Sequence, residues 1–119
     1  MKKSLFLILG FIFISIVSCE YKYIDPIEVD LPDEPVSFSE NVETIFQDKC
    51  ITCHSSTNPI LTTGNAYNSL INGGYVDTSD PESSDLYEKV LGGHPGGNSL
   101  SSEELGIILK WITDGAKND

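Results

Sequence analysis

The sequence predicts a small all-α domain of four or five short helices joined by long loops. Three observations predict it. Apolar residues recur at i, i+3 and i+4 in several separate windows, which is the spacing of one face of a helix, and no window shows the two-residue alternation of a strand. The windows are bounded by serines on one side and glycines on the other. The stretches between them, 55–64, 75–83 and 92–99, are rich in Gly, Pro, Ser, Thr and Asn. With 119 residues the chain has room for one such domain.

The first 18 residues stand apart from that domain. Lys2 and Lys3 precede an apolar run over 5–17, broken only by Gly10 and Ser15. Its length falls in the ~7–15 residues of a signal-peptide core, short of the ~20 that a membrane-spanning helix needs. Val17-Ser18-Cys19 follows directly and resembles a bacterial lipobox. That resemblance implies cleavage after residue 18, a diacylglycerol on Cys19, and export to the periplasmic or outer side of a membrane. An ordinary signal peptide with an incidental cysteine is the other reading. A lipid on Cys19 leaves Cys50 and Cys53 as the only free pair, so a disulfide-stapled fold is excluded beyond one small loop.

Residues 19–36 read as an acidic, proline-rich tether. Pro26, Pro32 and Pro35 interleave with Asp25, Glu28, Asp30, Asp33 and Glu34, and prolines with like charges hold a chain extended. Fully extended, such a tether reaches ~55 Å at ~3.1 Å per residue. Packing along the domain surface, locally through Tyr21, Tyr23 and Ile27, is the alternative.

The domain occupies 37–119. Its first helix is expected over 39–49, with Val42, Ile45 and Phe46 on one stripe and Ser37 or Ser39 as cap; Ser37 and Glu40 have capping-box spacing. Shorter helices are expected over 65–71, ending at Gly73-Gly74, and over 84–91, with Ser84 as cap and Gly92-Gly93 after it. The last helix carries the strongest local signal: a Ser101-x-x-Glu104 capping box, a Leu100/Leu105 staple, the stripe Leu105-Ile108-Leu109-Ile112 with Trp111 beside it, and Gly115 as stop. Gly106 interrupts that helix at a cost of ~1 kcal/mol and offers room for another element to approach. About 80 residues with loops this long bury a thin core, so something besides protein is expected at the centre.

Removing Lys2 and Lys3 leaves five of the seven cationic residues against 18 acids, a side-chain balance of −13. Such a surface repels nucleic acid and anionic headgroups. A protein partner is expected to present a basic or neutral face.

The motif Cys50-Ile51-Thr52-Cys53-His54 has the spacing of c-type haem attachment. Two thiols three residues apart at a helix end can each form a thioether with one vinyl group, and the next residue sets its imidazole under the iron. Two other readings share these residues. A redox or structural Cys50–Cys53 disulfide expects βαβ surroundings, which the sequence lacks. A zinc site from Cys50, Cys53, His54 and His94 would have to bring adjacent Cys53 and His54 onto one tetrahedral ion.

From residue 38 to 117 the chain resembles a small class I-type cytochrome c domain. The stripe Val42-Ile45-Phe46 feeding into CITCH and the terminal segment LSSEELGIILKWITDGA carry the resemblance. It implies helices around one covalent haem c, with His54 as the proximal ligand. It also implies first and last helices crossing near the haem edge, where Ile45, Phe46, Ile108 and Trp111 would pack and Gly106 would mark the crossing. A loop carbonyl, with Pro59 as candidate, would orient His54, an ordinary loop proline being the other reading; Tyr67 and Tyr87 either contact the ring or its propionates or are core aromatics. The implied function is one-electron transfer with redox partner proteins, from a lipid-anchored position.

One departure from the family is plain. Its distal methionine is missing, because the only methionine is Met1. The corresponding loop reads Gly93-His94-Pro95-Gly96-Gly97, and His94 is the only other histidine. The expectation is bis-histidine ligation by His54 and His94, with a lower potential than methionine ligation gives. The alternative is a five-coordinate haem that binds a small ligand or reduces peroxide.

Overall fold

The computed structural model describes residues 28–94 and 100–119. The signal segment, Cys19 with its expected lipid, Tyr21, Tyr23 and residues 95–99 lie outside them. Among the described residues every regular element is helical, as the periodicity predicts.

The first helix opens on a wide π-type turn, Phe38–Val42, and continues as α1 (Glu43–Lys49). Ser37, not Ser39, is its cap: Ser37 Oγ accepts from the Glu40 amide at 3.4 Å. The reciprocal bond comes from Asn41 Oδ1, which accepts from the Ser37 amide at 2.9 Å. Asp119 adds a second cap from the far end of the chain. Its carboxylate accepts from Phe38 N at 2.9 Å and its main-chain oxygen from Ser39 N at 3.0 Å. Orphan amides of the first turn are thereby satisfied by an anionic residue.

Cys50 closes α1 through its amide to the Phe46 carbonyl, 2.9 Å, and α2 (Ile51–His54) begins at once. Next come α3 (Ala66–Asn72), a 3-10 turn at Pro81–Ser83, and α4 (Asp85–Leu91). Ser84 precedes α4 but makes no side-chain cap. Its buried hydroxyl accepts from Asp77 N at 2.8 Å and donates to Asp77 O at 3.1 Å, closing the 77–84 loop instead.

The last helix, α5 (Ser102–Thr113), has both halves of the expected box: Ser101 Oγ accepts from Glu104 N at 3.1 Å, and Glu104 Oε2 accepts from Ser101 N at 2.8 Å. It ends in a Schellman arrangement. Ala116 N bonds the Trp111 carbonyl and Gly115 N the Ile112 carbonyl, with Gly115 at φ +99°, where glycine carries no Cβ penalty.

Val42, Ile45, Phe46, Ile108, Trp111 and Ile112 share one buried core. Phe38 joins the two ends of the chain, with its ring centre 5.2 Å from that of Trp111 and 6.4 Å from that of Phe46. α5 therefore packs on the opening turn of the first helix as well as on α4.

Gly106 has a different neighbour from the one expected. A Cβ there would overlap the Asp30 carbonyl and sit 3.4 Å from Leu31 Cα. The element lying on Gly106 is thus the segment before the domain, not the first helix. Val29 and Val36 pack against the core on either side of this contact. The tether is a strap over its last residues: two valines find apolar surface, and the missing side chain of Gly106 lets the backbone sit down on α5.

Candidate functional site

α1 and α2 deliver CITCH as one helical turn. Cys53 N and His54 N both bond the Cys50 carbonyl, at 3.1 and 2.9 Å, which brings two thiols and an imidazole round to one side. Lys49 Nζ, 3.7 Å from Glu104 Oε1, links this end of α1 to the start of α5. Cys50, Cys53 and His54 all line a cavity of about 470 Å³, within the ~300–1,000 Å³ of pockets that hold organic cofactors. Phe46, Leu61, Leu70, Leu86, Val90 and Leu100 supply its apolar wall. The centre that the sequence predicts to be thinly filled is this cavity.

His54 is held by its following loop. Nδ1 lies 2.9 Å from the Pro59 carbonyl oxygen and 3.2 Å from that of Thr57. Both neighbours only accept, so Nδ1 carries a proton, and Nε2 is the ring nitrogen turned to the cavity as a candidate metal donor. Pro59, joined to Asn58 by a cis peptide, also lines the cavity. The loop is fixed in turn by Leu61 N to His54 O at 2.8 Å, Gln47 Nε2 to Leu61 O at 2.7 Å, and Ile60 N to Ser69 Oγ at 2.8 Å.

His94 faces His54. It follows Gly93, whose φ of +69° turns the chain off the end of α4. The two ring centres are 5.9 Å apart with their planes at 39°. Imidazole–metal bonds are ~2 Å long, so a separation of this size leaves room for one metal centre between the rings. His94 is otherwise exposed.

The thiols differ. Cys50 is half-buried and Cys53 exposed, and both are free. Burial first, then the charges of Cys53 and Glu104, pushes the Cys50 thiol above its ordinary range. This is opposite to the lowered thiolate of a thioredoxin-type nucleophile. Among the described residues no group of three or more His, Cys, Asp or Glu is arranged to hold a metal.

Two of the expected cavity residues are elsewhere. Tyr67 stacks edge-on against Phe38 and Trp111, at 5.3 and 6.4 Å, and donates to the Ala116 carbonyl at 3.0 Å. Tyr87 is buried in the core, and burial followed by Glu82 raises its phenol. Both are core aromatics that do not line the cavity. The tyrosine that does is Tyr75. Its signal in the sequence is its place just after Gly73-Gly74, which turns the chain back over α3; its amide bonds the Leu70 carbonyl at 3.0 Å.

Two thiols on one turn, a pre-oriented imidazole, a second imidazole opposite, and apolar walls fit a flat apolar macrocycle carrying a metal. Comparison of the chain with protein-family models, curated proteins and solved structures finds no match.

Proposed function

We propose that this chain is a mono-haem c-type cytochrome that carries one electron at a time, held to a bacterial membrane by a lipid on Cys19. The observation that carries the reading is the hydrogen bond from His54 of CITCH to the Pro59 carbonyl. It presents Nε2 as a free donor beside two thiols in one apolar cavity. Each thiol would add across one vinyl group, its hydrogen passing to the adjacent carbon, so the attachment needs no oxidant.

The bound iron would supply the Fe(III)/Fe(II) couple. The residues do the rest. His54 and His94 would hold the iron, and two imidazoles would favour Fe(III) more than a histidine–methionine pair does. The apolar part of the wall would limit water at the site. The acidic surface, at a side-chain balance of −13 without Lys2 and Lys3, would steer a basic or neutral redox partner towards the domain.

The exposure of His94 favours a second reading, in which His94 stands off and the iron binds a small ligand or peroxide. Haem staining of the exported protein after denaturing electrophoresis tests the first claim. The wild type should retain stain at its own mobility, and Cys50→Ser/Cys53→Ser should lose it. A colourless wild type overturns both haem readings.

A further inference from the structure

The amide joining Pro59 to Ile60 is engaged at both ends. Its carbonyl oxygen accepts from His54 Nδ1 at 2.9 Å, and its N–H donates to Ser69 Oγ at 2.8 Å. Ser69 sits half-buried on α3, an element that otherwise contributes only Leu70 to the cavity wall. We propose that Ser69 is a positioning residue that sets the donor strength of His54 through this shared amide. The inference rests on the haem reading above.

The physical link is hydrogen-bond cooperativity. An amide whose N–H is engaged carries more electron density on its carbonyl oxygen, and chained bonds strengthen one another by ~10–30% each. A richer Pro59 oxygen draws harder on the His54 Nδ1 proton. The ring gains electron density, Nε2 becomes a better donor, and the oxidised metal is favoured. Ser69 also fixes the direction of the carbonyl, since imidazole and hydroxyl meet opposite edges of one rigid amide plane. Gln47 differs: it holds the Leu61 carbonyl, two peptides further on, and touches neither end of the shared amide.

The test uses the haem-loaded full chain with Ser69→Ala, Ser69→Thr and Gln47→Leu. Two quantities are read: the midpoint potential, and the proton resonance of His54 Nδ1–H in the reduced protein. Ser69→Ala should shift the couple towards the reduced form by about threefold, or ~30 mV at 59 mV per decade for one electron. Its Nδ1–H resonance should move upfield as the bond weakens. Ser69→Thr should restore both. Gln47→Leu should lower the melting temperature while leaving the resonance near its wild-type position. Should Ser69→Ala not fold, Ser69→Cys, with a weaker acceptor, should give an intermediate shift. Wild-type values in Ser69→Ala, no rescue by threonine, or an equal shift in Gln47→Leu would each overturn the role of Ser69. A wild-type chain without haem overturns instead the reading on which it rests.

Discussion

His54 owes its ring orientation to a backbone atom five residues away, and His94 its place opposite to a glycine turn. Because the Pro59 oxygen can only accept, the tautomer of His54 is set before any metal arrives. His94 has no such partner among the described residues and is exposed, so its attachment should be the weaker of the two. His94→Ala should turn a low-spin ferric spectrum high-spin, or open the iron to added imidazole; a spectrum unchanged in both redox states would make His94 a bystander. The thiols give a second check at this scale. In haem-free protein, iodoacetamide should label exposed Cys53 before half-buried Cys50, whose thiol is held protonated by burial and nearby charge. Equal rates would contradict that asymmetry. Pro59 is named through the resemblance, and its carbonyl meets Nδ1 as that resemblance implies. For Tyr67 and Tyr87 the sequence leaves cavity and core both open, because which way they face depends on Phe38, Trp111 and the chain's end, far away in sequence.

The same division holds for the helices. The Ser101–Glu104 box and the Gly115 stop are local patterns that need only their own turn, and both form as read. Ser84 looks like an equally good cap but spends its hydroxyl on Asp77, since a buried hydroxyl takes the partners that its loop presents. Asp119, 81 residues from Phe38, has no local signature at all. Two stability predictions follow from the caps. Ser101→Ala should cost ~1 kcal/mol, the usual loss for an N-cap serine, measured by urea unfolding. Asp119→Ala should cost about as much, and more at low salt than at high salt, because a negative group there also meets the positive end of the helix dipole. A salt-independent loss would leave hydrogen bonding as its only contribution.

At the scale of the molecule, the strap changes how the domain would sit relative to its anchor. Val29 docks on the core and Asp30 lies on Gly106, so the last residues of the segment lie along the domain and do not add to the ~55 Å reach of a fully extended tether. Gly106→Val should expel the strap, so that limited proteolysis cuts within 28–36 much faster while the core resists; unchanged cleavage would show the contact to be dispensable. The all-α class and the position of the cavity were legible from period and motif. The strap stood in the sequence only as the alternative to a free tether, because prolines and acids dominate its composition while two valines and a distant glycine decide its packing. Charge acts on the same scale: transfer to a basic partner should slow as salt shortens the screening length to ~8 Å at physiological strength, and a flat profile would leave the acidic surface a role in solubility alone. The central claim, a haem bound through Cys50 and Cys53, is tested most directly by the alkaline pyridine spectrum of the reduced protein after acid–acetone extraction. The account predicts that the colour stays with the polypeptide and that the α band lies where both vinyl groups are saturated. Colour passing into the acetone, or a band at the position of unmodified haem b, would contradict it.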